Sequence, residues 1–212
     1  MRPDQAIQGP PAGAAPRVLV IGCGALAREL LALTRDLPGV KVTCVDARLH
    51  MRPERIADAV AARIRKARRE YGPDTRIFVA YADCGTRGAL DEVLAEAGVE
   101  RIEGAHCFEF YAGASTYAEL QDAEPGTFYL TDFLARQFDT LILAGLGLDR
   151  HPELRDAYFG NYSRLIYLAQ SDDPALTVKA EAAALTLGLA FERRATGFGD
   201  LATSIRYAAG AA

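Results

Sequence analysis

The chain has 212 residues, half of them hydrophobic and a quarter charged, with a formal net charge of -4 and a pI near 5.5. That length can bury a proper core. The mild acidity gives no electrostatic reason to expect nucleic acid or an anionic membrane as partner, and no apolar run is long enough for a membrane span.

Residues 1–16 are rich in Pro, Gly and Ala and lack an apolar signal core, so they read as a disordered tail of a cytoplasmic protein. Residues 17–212 read as a single domain, with no linker or internal repeat to divide them. Short β-branched runs alternate with longer amphipathic stretches. That pattern predicts an α/β, three-layer fold around a mostly parallel, doubly wound, Rossmann-like sheet.

In chain order, "RVLVIG" (17–22) reads as a buried strand and "GALARELLALTRDL" as the helix after it. "VKVTCVD" (40–46) is a second strand, and "PERIADAVAARIRKARREY" (53–71) is a helix with Pro at its start. Within it, "RIRKARRE" (63–70) reads as a solvated face, because acidic residues follow and no aromatics interleave. "TRIFVAY" (75–81) is a third strand, "TRGALDEVLAEAG" a helix stopping at Gly98, and "VERIEG" (99–104) a short fourth strand. Short helices are expected next, around a hairpin-like loop at "EPGT", whereas "TLILAGLGL" (140–148) fits a strand or a helix equally. "SRLIYLAQ" (163–170), "DPALTVKAEAAALTLG" (173–188) and "LAFERRAT" (189–196) read as strand, helix and strand.

Placed on these elements, the reactive residues gather. Cys23 follows the first strand, His50 the second, Cys84 the third, and His106 with Cys107 the fourth. In an open parallel sheet these carboxyl-end loops share one rim, where ligands bind. Thiolates and imidazoles suit zinc or another thiophilic metal, which makes Cys23, His50, Cys84, His106 and Cys107 candidate ligands. Cys44 sits inside a strand and reads as a small core residue, and His151 as a surface turn histidine. In a reducing compartment the four cysteines are free thiols, ligands or catalytic groups rather than disulfides.

Two other chemistries stay open. Cys84 precedes a helix whose N-terminus would lower its pKa, with His106 as a base and Asp83 as an orienting group or a helix cap. Alternatively Gly22, Gly24 and Ala27 match G-x-G-x-x-G/A after a strand, and Asp46 ends the next strand where a ribose-binding acid belongs. That reading makes the protein an NAD(P)-binding oxidoreductase. Glu109 could accept from the His106 imidazole or be an exposed helix charge. Thr127, Tyr129, Thr131 and Asp132 follow a Pro-Gly turn with one face expected inward. Phe110, Tyr111, Tyr162 and Tyr167 read as core and rim packing.

The pieces "IGCGALAREL", "LHMRPERI", "YADCGTRGALD", "GAHCFEFYAG", "EPGTFYLTDFL", "NYSRLIYLAQ" and "GLAFERRATG" stand in this order from about residue 18 to about 200. Together they resemble the bacterial and archaeal domain of unknown function 1638. The resemblance implies that Cys23, His50, Cys84, His106 and Cys107 recur as a set, and that the "EPGT" loop covers the site. This chain has "YADC" where a Tyr-Gly-x-Cys loop is commoner in the family. The resemblance also implies an association with corrinoid-dependent one-carbon metabolism, with corrinoid proteins and methyltransferases as partners and a small molecule as substrate. The expected function is a metal-binding protein of methyl transfer, enzymatic or accessory. A non-catalytic binding module and the NAD(P) enzyme are the alternatives.

Overall fold

The computed structural model describes residues 15–210, so all but the last two positions of the expected tail lie outside the described residues. Among the described residues the chain is α/β, and its strands fall into two parallel sheets flanked by helices. Two compact units result. One runs to Phe110 and is taken up again from Asp200; the other is Tyr111–Gly199.

In the first unit β1 (Val18–Cys23), β2 (Val40–Val45), β3 (Ile77–Ala80) and β4 (Glu100–Arg101) pair in the order β2-β1-β3-β4, every neighbour parallel. β1 is apolar throughout because a central parallel strand is covered on both faces, and all six of its residues are buried. The connecting helices are α1 (Ala27–Thr34), α2 (Ile56–Tyr71) and α3 (Ala89–Ala97). Ile56, Val60 and Ile64 repeat one turn apart along α2 and are fully buried. Each contributes roughly 2 kcal/mol by leaving water. α3 stops as expected at Gly98, which takes the left-handed φ of 60° that a side chain resists.

From β1 the chain moves out to β2, then back across β1 to β3 and on to β4. Right-handed crossovers therefore put α1 on one face and α2 with α3 on the other, and α2 does pack against α3. The change of direction falls between β1 and β3. Beyond the carboxyl ends of such a pair the departing helices leave a crevice. From β4 the chain enters α4 (Cys107–Ala112).

The second unit contains α5 (Ala114–Ala123), β5 (Thr127–Leu130), α6 (Asp132–Phe138), α7 (Arg155–Phe159), β6 (Arg164–Ala169), α8 (Pro174–Leu187) and β7 (Ala190–Ala195). Its strands are ordered β5-β6-β7, again parallel. Both crossovers run the same way, so α6 and α8 pack side by side. Two expectations change here. The segment after "EPGT" is not a hairpin: it is strand β5, paired in parallel with β6. Residues 140–148 form neither a strand nor a regular α-helix, but a π-helical turn over Asp139–Leu143 and further turns that bury Leu141, Ile142 and Leu148. The chain ends in α9 (Gly199–Ala209), where the Ala209 carbonyl accepts from Arg17 Nη2 at 2.6 Å.

Candidate functional site

All five expected Cys/His positions lie in the first unit, on the loops that follow β1, β2, β3 and β4. Cys23 ends β1 and is buried. Its Sγ accepts from the Ala25 amide at 3.4 Å, which caps the short 3-10 turn over Gly24–Leu26. The Tyr81 hydroxyl, arriving from the end of β3, donates a second hydrogen bond to this sulfur.

Cys84 lies in the loop after Tyr81 with φ of 50°, a left-handed conformation uncommon for a residue with a side chain. The loop is held by Asp83, whose carboxylate accepts from the Thr86 hydroxyl at 2.5 Å and from the amides of Gly85, Arg87 and Gly88. Burial pulls the Asp83 pKa up, but these hydrogen bonds outweigh it and hold it low. Two backbone bonds, Asp83 N–H to Gly104 O at 3.0 Å and Cys84 N–H to Ala105 O at 2.8 Å, fasten this loop to the segment before His106 and Cys107. Glu109 secures that segment in turn, its Oε2 accepting from the Ala105 amide at 2.7 Å. It therefore acts as a reciprocal cap rather than as an acceptor for His106.

The result is a convergence of thiols. Burial pushes Cys84 up to about 12, with the charge of Cys23 adding to the effect and the Cys107 amide opposing it. Burial raises Cys107 as well, followed by the charges of Cys84 and Cys23. Cys23 is raised by burial, with the Tyr81 hydrogen bond opposing. Tyr81 is itself raised, by burial first and then by the neighbouring Cys23, Cys84 and Cys107. Three cysteines from three separate segments thus sense one another beside a buried phenol. Cys44, opposite Gly22 in the β1–β2 register, stands next to the group and is pushed to about 12 by burial and then Cys23. The expected role of Cys44 as a core residue thus acquires a neighbour, Cys23.

The imidazoles form a second pair. His50 is exposed near the end of a short 3-10 turn (Ala47–Met51), and partial desolvation of its ring lowers its pKa, with His106 adding to the effect. His106 is exposed, its ring 6.4 Å from that of Phe108. Among the described residues no three His, Cys, Asp or Glu side chains are already arranged to hold a metal ion. The donor chemistry is nonetheless that of a thiophilic ion: three sulfurs whose protons a metal would displace, with two imidazoles on the adjoining loops.

The activated-nucleophile expectation for Cys84 is corrected. α3 begins only at Ala89, too far along the chain to lower the thiol pKa by its N-terminus, and burial raises it instead. The glycines of "GCGALA" have local reasons to be there. A Cβ on Gly22 would come within 2.3 Å of Leu30 Cδ1, and one on Gly24 within 2.7 Å of the Val45 carbonyl. Asp46 caps the turn after β2 through Arg48 N at 2.9 Å and pairs with the Arg48 guanidinium, which holds its carboxyl below the usual range.

Thr127, Tyr129, Thr131 and Asp132 lie in the second unit. Thr127 accepts from Arg164 Nε at 2.8 Å, the Tyr129 hydroxyl donates to Gln121 at 3.2 Å, and Thr131 caps α6. Phe110, Tyr111 and Tyr167 are buried and Tyr162 is on the surface, in keeping with core and rim packing. His151 is an exposed turn residue beside Glu153, as expected. Sequence reasoning missed Tyr81, because an apolar strand ending in Tyr looks the same whether its hydroxyl meets a thiol or the core.

A family model described as a protein of unknown function (DUF1638) matches residues 44–205. The chain belongs to the DUF1638 family. The match includes Cys44, His50, Cys84, His106 and Cys107, whereas β1 with Cys23 precedes it. No curated protein and no solved structure matches the chain.

Proposed function

We propose that this DUF1638 protein binds a thiophilic metal ion, zinc being the expected one, at the carboxyl ends of β1, β3 and β4. Cys23, Cys84 and Cys107 supply thiolates, and His50 or His106 completes the set. The observation that carries the reading is the convergence of three thiols, one buried and two half-buried, at the point where the sheet changes direction. A bound zinc ion would act as a Lewis acid or activate a substrate thiol. The chain's own groups prepare for it: the Tyr81 hydroxyl and the Cys107 amide donate to the sulfurs of Cys23 and Cys84, which favours their deprotonated forms. Asp83 and Glu109 fix the two loops that carry Cys84 and Cys107.

Membership of the family extends the proposal to methyl transfer in corrinoid-dependent one-carbon metabolism, with a corrinoid protein or a methyltransferase as partner. The test is metal analysis of untagged protein, wild type beside Cys84→Ser and His106→Ala. About one equivalent in the wild type and little in Cys84→Ser is the expected result. A folded, reduced wild type without metal that also takes up no added zinc would overturn it. Loss of a copurifying corrinoid partner on chelation would tie the metal to the methyl-transfer role.

A further inference from the structure

We infer that Cys84 and Cys107 are a redox-active dithiol, which a hydroperoxide converts to one disulfide within the chain while Cys23 stays a thiol. The disulfide takes away two of the three sulfurs on which the proposed metal site draws, so oxidation switches metal binding off. That consequence rests on the proposed function, whereas the disulfide itself does not.

In sequence the two cysteines bracket α3 and β4, yet the fold brings them together. Asp83 N–H donates to Gly104 O at 3.0 Å and Cys84 N–H to Ala105 O at 2.8 Å, which lays the two segments side by side. Each segment is pinned from its own side. The Asp83 carboxylate accepts from Thr86 and from the amides of Gly85, Arg87 and Gly88, and Glu109 accepts from the Ala105 amide. The meeting of the two segments therefore does not depend on the thiols. A single amide then serves both sulfurs: Cys107 N–H donates to Cys84 Sγ and to the sulfur of its own residue. Segments joined by backbone hydrogen bonds hold facing Cα atoms about 4.5–5.5 Å apart, inside the roughly 4.4–6.8 Å that a disulfide spans. Side-chain rotation is what remains to bring two sulfurs that share one donor into bonding contact.

Exposure selects the pair. Cys84 and Cys107 are half-buried, whereas Cys23 is 8% exposed and its sulfur already accepts from the Ala25 amide and the Tyr81 hydroxyl. One thiol of the pair gives its proton to solvent and attacks the peroxide; the O–O bond breaks, leaving a sulfenic acid and one water. The second thiol attacks that sulfur, the S–S bond forms as the S–O bond breaks, and a second water leaves. Two thiols lose two electrons and two protons, and hydrogen peroxide becomes two waters. Burial keeps both sulfurs protonated, so the reaction runs over roughly minutes to hours.

The test treats the reduced, metal-free full chain with hydrogen peroxide, alkylates the remaining thiols and maps the peptides without reduction by mass spectrometry. A Cys84–Cys107 disulfide is expected, with Cys23 and Cys44 alkylated and with complete reversal by dithiothreitol. Cys84→Ser and Cys107→Ser should each abolish it, and Cys44→Ser should leave it unchanged. The wild-type map stands by itself should a variant misfold. A disulfide to Cys23, crosslinks only between chains, or sulfinic acid without a crosslink would overturn the inference. Zinc uptake is then measured on both forms, with loss on oxidation and recovery with dithiothreitol expected; equal uptake by the oxidised chain would overturn the switch. A Cys84–Cys107 disulfide in a chain whose reduced form takes up no zinc supports the dithiol and removes the metal reading. Zinc uptake by a reduced chain that never forms this disulfide overturns the dithiol alone.

Discussion

At the carboxyl ends of β5 and β6 in the second unit, a buried carboxylate is fully engaged by its own chain. Asp132, 1% exposed, accepts from the Tyr167 hydroxyl at 2.7 Å, the Gln170 amide at 3.0 Å, the Ser171 hydroxyl at 2.5 Å and Arg136 at 3.4 Å. At the carboxyl ends of β1 and β3 in the first unit the groups are thiols, Cys23 buried and Cys84 and Cys107 half-buried, pushed toward their protonated forms. The strand ends are alike in topology and opposite in chemistry. A buried carboxylate must be satisfied internally or it costs several kcal/mol. Protonated thiols are weak hydrogen-bonding groups that can stay buried without such a network. The second unit therefore uses its polar group for structure, whereas the thiols of the first are the groups on which the proposed metal site draws.

The strongest way to break that contrast is Asp132→Ala. It strands the Gln170 amide and the Tyr167 hydroxyl in the interior, at about 1–3 kcal/mol for each buried donor. A loss of about 3 kcal/mol is expected in denaturant unfolding, with Asp132→Asn between this variant and the wild type. Cys107→Ser, by contrast, should cost the metal-free protein less than about 1 kcal/mol. Equal losses at the two sites would make the thiol cluster structural and remove the reason to expect a ligand.

Alkali sharpens the comparison further. Burial, and then Asp132, raise the Tyr167 pKa above its ordinary value of 10.0. A folded pKa above the unfolded one stabilises the protein fully below pH 10 and less as pH rises toward the folded value. Tyr167→Phe forfeits one hydrogen bond, about 1 kcal/mol at neutral pH, yet no longer has a phenolate to form against Asp132. The variant should therefore start less stable and lose less stability between pH 10 and 12. A parallel decline in the two proteins, followed by circular dichroism at each pH, would show that Tyr167 does not report on this network.

A third contrast uses the strain at Cys84. Cys84→Ala and Cys84→Gly both remove the thiol, but only glycine accepts φ of 50° without a steric penalty. The glycine variant should be more stable by about 1 kcal/mol, with neither variant holding metal. Indistinguishable melting temperatures would mean that the loop relaxes once the thiol is gone, so that the sulfur itself maintains the left-handed turn.

Much of this architecture was legible in sequence because β-branched runs and 3.6-residue stripes each report one local periodicity. β5 was not: Thr127–Leu130 is only four residues long and directly follows a Pro-Gly turn that reads as a loop. The division into two units left no linker signature, since the chain crosses between them inside α4 and in the first turn of α9. α9 was not anticipated, although Leu201, Ile205 and Ala208 repeat at helical spacing. At the site, the strand pattern was enough to put Cys23, Cys84 and Cys107 at or after the ends of β1, β3 and β4. The roles of Tyr81, Asp83 and Glu109 depend on which loops touch, and a single sequence does not encode that locally. "GCGALA" shows the converse, since packing against Leu30 and Val45 demands the same glycines as a phosphate turn.

The smallest effect belongs to Asp46, which, like Asp132 in the second unit, lies just past the end of a strand, and which caps the turn that follows. The difference lies in solvent. The Asp46 side chain is about a third exposed and its partner Arg48 lies on the surface, so water screens the pair and replaces it readily when broken. Asp46→Ala should thus cost about 0.5 kcal/mol, at the low end for a lost cap, several-fold less than Asp132→Ala in the same denaturant series. Metal content should not change, because the carboxylate's hydrogen bonds go to Arg48. The same variant also addresses the nicotinamide alternative. A dinucleotide that bound over Gly22 and Gly24 would lose its ribose contact with Asp46 and bind more weakly, an outcome that a metal site at the thiols does not produce.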